Sequence, residues 1–252
     1  MVVYRCEDSL ESIFTAVYLA YEEKRDHEDT CLRLDDEPLL FAQDYQVIPD
    51  EEKVIKVMRT LRLKFGEEDY HDLCMALASS DPLKAQAVYR TIVLGIRHKT
   101  LPGHLFDRLA DPDVNRAFKL SRNAARECHH LLGFLRFQEL ENGILYGKVG
   151  PKNNILTFMM PHFADRLPIE NFMIYDSVRN FFGIHPAGKQ WYLVSGTDMH
   201  LPKQFKLSEE EMAYQMLFRH FCKTIAIKER ENYELQKNLL PLRYREYMIE
   251  FG

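Results

Sequence analysis

The sequence predicts an α+β protein: an antiparallel sheet of four to five strands packed against a largely helical layer. Three observations lead there. Short β-like runs crowd into residues 134–182, reading FLRFQEL, GILYGKV and ILTFMM, with the turn clusters Glu141-Asn142-Gly143 and Gly150-Pro151-Lys152-Asn153-Asn154 between them. Residues 8–132 carry apolar positions at helical spacing, broken by capping signals. A second helical pattern fills 208–250. The chain of 252 residues is long enough to bury a full core and reads as a single domain. Its parts are a mainly helical stretch 1–133, a β-rich stretch 134–200 and a C-terminal helical stretch 201–252.

Val2-Val3-Tyr4-Arg5-Cys6 opens the chain as a short strand that could join the sheet. Asp8 and Glu11 have capping-box spacing, and Ile13, Ala16, Val17, Ala20 and Tyr21 form the apolar stripe of the helix that follows. Residues 22–37 are acidic and irregular, a surface linker with one short strand near Cys31–Leu34. Asp50 caps a helix facing inward through Val54, Val57, Met58, Leu61 and Phe65, with Gly66 to stop it; Tyr70, Leu73, Cys74 and Leu77 form the next face. Asp81-Pro82 and Asp111-Pro112 each read as N-cap followed by proline, starting two further helices. Gly95 lies inside the first of these, where glycine weakens a helix. After the β-rich stretch, Trp191-Tyr192-Leu193-Val194 reads as another strand and 196–207 as loop. Ser208 and Glu211 then open a helix, and Leu235, Leu239, Leu240, Tyr244 and Met248 predict a tail that packs back on the body.

Charge is distributed unevenly. The net charge is −5, but residues 1–52 hold 15 acids against 4 bases, whereas 84–130 hold 9 bases against 4 acids. On the helix after Asp111, Arg116, Lys119, Arg122, Arg126 and His130 fall within about a third of the circumference, opposite the apolar side. Exposed helix faces ordinarily mix the two signs, and here only Glu127 lies near. The stripe is either a solvated face or a surface for a polyanion.

The β-rich stretch carries a second cluster. His162, Asp165 and Arg166 share a face if a helical turn starts near Pro161, and Asp176 and Arg179 stand three apart after a strand. His162 and Asp176 are candidates for acid–base chemistry, and Arg136, Arg166 and Arg179 for holding an anion. An Asp–Arg turn pair and a hydrogen-bonded histidine would use the same residues structurally. Lys228 and Arg230 add cations near the tail.

The five cysteines are dispersed without a C-x-x-C pair, and Cys128-His129-His130 points its side chains in different directions, so no metal and no cofactor is expected. Phosphate-loop, dinucleotide and serine-hydrolase signatures are absent. No apolar run approaches the roughly 20 residues of a membrane span, and Met1 leads into a polar strand, which predicts a cytoplasmic protein with no membrane partner.

FLRFQELENGILYGKVGPKNNIL, PHFADR, MIYDSVR and IAIKEREN…LPLRYREYMIEF together resemble an uncharacterised bacterial family linked to DNA metabolism and DNA repair. The match rests most specifically on Arg136, Phe137, Glu139, His162, Phe163, Arg166, Asp176 and Arg179. The resemblance implies a neighbour: family members are encoded beside a radical-SAM protein, and some relatives are joined to a uracil-DNA-glycosylase-like domain. This chain lacks the spaced cysteine triplet of a radical-SAM cluster, so the resemblance casts it as the partner. The expected function is a DNA repair or DNA metabolism protein that binds DNA and acts with that partner. Two alternatives stay open. One is an enzyme acting on a nucleobase, nucleotide or DNA lesion; the other is an interaction partner without DNA contact, docking through its acidic N-terminal segment.

Overall fold

The computed structural model describes residues 1–198 and 205–251. The chain divides into two compact units, Met1–Arg126 and Glu127–Gly252.

The first unit begins with β1 (Val2–Arg5), α1 (Leu10–Glu22), β2 (Thr30–Arg33) and β3 (Gln43–Gln46). β1 is the centre of a three-stranded sheet in the order β2-β1-β3, and both neighbours run parallel to it. Its Val3 and Tyr4 are buried, as are Ile13, Phe14, Ala16, Val17 and Ala20 of α1. The cap of α1 is Ser9, which accepts the Ser12 N–H at 3.1 Å, while Asp8 pairs with Lys84. The acidic segment has a structural use: buried Arg5 donates to the Asp35 and Glu37 carbonyls at 2.6 and 2.7 Å and pairs with Asp44 at 3.1 Å.

Three long helices complete this unit: α2 (Glu51–Leu77), α3 (Lys84–Arg97) and most of α4 (Pro112–Phe134). Asp50 caps α2 by accepting the Lys53 N–H. Gly66, at φ 83°, interrupts α2 where the sequence places a stop. Gly95 has a packing reason, since a Cβ there would lie 2.5 Å from Leu105 Cδ1 and 2.8 Å from the Phe65 ring. Asp111 starts α4 by accepting the N–H groups of Asp113 and Val114.

The second unit holds β4 (Phe137–Glu139), β5 (Leu145–Val149), α5 (Leu156–Arg166), β6 (Phe172–Asp176), β7 (Phe181–His185) and β8 (Tyr192–Ser195). These are followed by α6 (Glu209–Thr224), α7 (Tyr233–Leu239) and α8 (Leu242–Arg245). The sheet order is β4-β5-β6-β7-β8. All its pairings are antiparallel except β5–β6, which is parallel.

The purely antiparallel α+β expectation is therefore incorrect. The molecule has mixed α/β structure, with eight α-helices among the described residues, one three-stranded parallel sheet and one five-stranded mixed sheet. The N-terminal strand does not join the larger sheet. Within that sheet the error lies at ILTFMM, expected as a strand and observed as the start of α5. Its buried residues Leu156, Met159, Met160 and Phe163 follow the helical i, i+3, i+4, i+7 pattern, continuing past Pro161. A helix between two neighbouring strands makes the crossover that parallel pairing requires, where a short turn would have made a hairpin.

No helix among the described residues is long and apolar enough to cross a membrane. Of the loop expected at 196–207, residues 199–204 lie outside the described ones. In the tail, Tyr244 and Met248 are buried, whereas Leu235 and Leu239 stay exposed.

Candidate nucleic-acid interface

The basic stripe lies on α4. Its inward side is Val114, Ala117, Leu120, Ser121 and Ala124, all buried. Arg116, Lys119, Arg122 and Arg126 are exposed on the other side, spanning ten residues or about 15 Å of helix.

Ion pairing separates Lys119, Arg122 and Arg126 from the bases of α3 and from Arg116. In α3, Lys84 pairs with Asp8, Arg90 and Arg97 share Glu28, and Arg90 also reaches towards Asp113 at 3.8 Å. The two guanidiniums hold the Glu28 carboxyl below its usual range. Arg116 pairs with Asp81 at 3.1 Å. Lys119, Arg122 and Arg126 have no acidic partner among the described residues; Arg122 only stacks over the Phe118 ring at 5.7 Å. An open hollow of about 550 Å³ lies beside Lys119, lined also by Asp81, Asn115, Arg116 and Asn123 among others. Three unneutralised cations with amide side chains alongside suit a row of phosphates, which takes charge from Lys and Arg and hydrogen bonds from Asn.

Glu127, the one acid expected near the stripe, is buried. It accepts the Lys152 and Asn153 N–H groups at 3.0 and 2.8 Å and Asn153 Nδ2 at 2.7 Å, and pairs with Arg243 at 3.2 Å. Its charge is consumed within the second unit.

The cluster in the second unit is laid out differently from the convergence its sequence suggests. Asp176 is wholly buried at the end of β6. Its Oδ1 accepts the Val178 and Arg179 N–H groups at 2.9 and 3.2 Å, and its Oδ2 accepts Arg179 Nη1 at 3.2 Å. Arg179 also donates to the Pro151 carbonyl at 3.0 Å and the Lys152 carbonyl at 2.6 Å. Arg136 donates to the Gly133 carbonyl at 3.0 Å and pairs with Glu250 at 2.8 Å. These three side chains are engaged in holding backbone and partners. His162, Asp165 and Arg166 are exposed near the end of α5, the His162 ring meeting Phe163 edge-on at 5.1 Å. Arg136 lines a separate cleft of about 230 Å³ with Gln138, Lys148 and Arg219, and none of His162, Arg166 or Arg179 lines it. Lys228 and Arg230 are exposed on a one-turn 3₁₀ helix.

Sequence reasoning missed the roles of Asn153, Arg243 and Tyr247. Asn153 sits in a recognised turn, but only the fold brings Glu127 to it; a Cβ at Gly150 would collide with the Tyr247 hydroxyl. Among the described residues no three His, Cys, Asp or Glu side chains gather to hold a metal ion. Burial pushes the Cys128 thiol up to about 11.

Residues 82–250 match the family model described as a domain of unknown function, DUF4130, and the chain belongs to that family. No curated protein matches the chain.

Proposed function

We propose that this DUF4130 protein binds nucleic acid through its phosphate backbone, with Lys119, Arg122 and Arg126 as the principal contacts. One observation carries the proposal: three neighbouring cations on one exposed helix face, without an acidic partner among the described residues, on a chain whose net charge is −5. Folding pairs Lys84, Arg90, Arg97 and Arg116 with acids and leaves these three cations without one. Such a surface supplies affinity without reading sequence, since base edges are not needed to hold phosphates. Arg116 contributes less because it must first release Asp81.

We propose further that this binding serves an accessory role beside a radical-SAM protein, the partner implied by the resemblance to proteins of DNA metabolism and repair. Co-purification of the two proteins from a co-expressing strain tests it. Acid–base chemistry by His162 and Asp176 has less support, because both Asp176 oxygens are occupied by Arg179 and its turn.

Fluorescence anisotropy with labelled single-stranded DNA, duplex DNA and RNA, over a series of salt concentrations, tests the binding. Affinity should fall steeply as salt rises. Absent or salt-insensitive binding would overturn the proposal, and the three probes rank the nucleic-acid types.

A further inference from the structure

The cleft beside Arg136 is built on the polar face of β4 and β5. Phe137 turns to the other face, where its ring meets those of Phe163 and Phe172 edge-on at 5.3 and 5.5 Å. Strand alternation therefore sets Gln138 and its cross-strand partner Tyr146 on the cleft side, with Lys148 two residues on. Helix α6 adds Gln215 and Arg219 to the lining, and the turn after α8 adds Glu246 and Tyr247. All of these residues belong to the second unit.

The cleft carries bonding capacity that the protein itself does not use. Gln215 is only 8% exposed, and its Nε2 donates to Glu211 at 2.7 Å. Its carbonyl oxygen has no donor among the described residues, although buried amides ordinarily use both ends. Arg219 commits Nε to the Ile249 carbonyl at 2.8 Å, which orients the guanidinium and leaves its two terminal nitrogens uncommitted. Neither Arg219 nor Lys148 has an acidic partner among the described residues; the Lys148 ammonium lies 5.8 Å from the centre of the Tyr247 ring. Glu246 has no ion-pair partner among them either.

We infer that this cleft binds a nucleoside monophosphate. Two cations without an acid call for an anion, and a guanidinium beside an ammonium suits a phosphate group. The amides of Gln138 and Gln215 match the donors and acceptors along the edge of a base. Gln215, its nitrogen held by Glu211, offers an acceptor to an amino or ring N–H group. Tyr146 and Tyr247 supply aromatic surface for the base, and the Glu246 carboxylate accepts hydrogen bonds from sugar hydroxyls. Arg136, paired with Glu250 at 2.8 Å, contributes wall rather than free charge. At about 230 Å³ the cleft has the scale of one nucleotide, in contrast to the row of phosphates proposed for α4.

Isothermal titration calorimetry of the full chain with AMP, GMP, CMP and UMP tests the inference. At least one should bind one-to-one, and more tightly than its own nucleoside, ribose phosphate or inorganic phosphate. Lys148→Gln changes an exposed side chain, so it should melt with the wild type and weaken that nucleotide roughly tenfold or more. Lys148→Arg keeps the charge and should retain binding. Gln138→Leu should reduce the preference among the four bases by roughly threefold or more. Four results would each overturn the inference: no binding by any of the four nucleotides, equal binding of a nucleoside, ribose phosphate or inorganic phosphate, wild-type affinity in a folded Lys148→Gln protein, or an unchanged base preference in Gln138→Leu.

Discussion

Glu127 and Arg179 grip the same short loop through complementary groups: Glu127 accepts the N–H groups of Lys152 and Asn153, while Arg179 donates to the carbonyls of Pro151 and Lys152. The loop follows β5, where a parallel strand would otherwise leave unpaired backbone groups at its carboxyl end. Each gripping side chain has its own counter-ion, Arg243 for Glu127 and Asp176 for Arg179. Replacing Arg179 by Ala strips a buried carboxylate of its partner and frees two carbonyls. This should destabilise the protein by about 3 kcal/mol, read from urea unfolding. Glu127→Gln keeps the shape and loses the charge, and should cost about 1–2 kcal/mol.

His162→Ala should leave the melting temperature almost unchanged, within about 0.5 kcal/mol, because the ring is exposed and meets Phe163 edge-on at its surface. Asp176→Ala should unfold the protein far more readily. Thermal melts of the two variants side by side check this contrast, and a large loss at His162 would assign it a structural role.

Gly95→Ala would improve helix propensity by under about 1 kcal/mol but drive a methyl into Leu105 and Phe65. Overpacking of that kind typically costs about 1–3 kcal/mol. Net destabilisation is expected, and recovery on adding Phe65→Leu would show that the ring is the obstacle.

Stability of the first unit should fall on mild acidification. His27 hydrogen-bonds the Tyr89 hydroxyl at 2.7 Å, and burial, with Arg97 and Arg90 nearby, lowers its pKa from the usual value. The unfolded chain therefore takes up this proton first as pH drops. Stability is fully present above the unfolded histidine pKa of about 6.5 and declines below it towards the folded value. His27→Gln should flatten that part of the pH profile, measured by denaturant melts between neutral and weakly acidic pH.

The extent to which the sequence disclosed this structure depends on how local each signal is. Asp50, Asp111 and Ser208 cap helices as their spacing predicts, and Gly66 breaks one, because caps and breaks involve neighbours in the chain. The same locality misled at ILTFMM, where Pro161 concealed an apolar pattern of helical period that carries on to Phe163. That one helix changes the β5–β6 pairing from antiparallel to parallel. Of the two parallel partners of β1, the strand near Cys31 is legible in the sequence, whereas Gln43–Gln46 is not, and the acids around them make no sense until Arg5 is seen buried among them.

The candidate site divides in the same way. The stripe on α4 is legible because helical geometry alone aligns Arg116, Lys119, Arg122 and Arg126. Which of them are free is not legible, since Asp81 meets Arg116 from 35 residues away. The Asp176–Arg179 pair is legible because the two stand three residues apart, but the other partners of Arg136 and Arg179, Glu250 and the 151–152 carbonyls, lie far along the chain.

The most direct measurement is the salt dependence of DNA affinity for the wild type and for the variant carrying Lys119→Glu, Arg122→Glu and Arg126→Glu. Three phosphate contacts account for about 2.7 units of the slope of log affinity against log salt on duplex DNA. The variant should fold normally, lose most of its affinity and show a slope shallower by at least that amount, whereas Arg116→Ala should change little. A variant that binds with the wild-type affinity and slope would contradict the account.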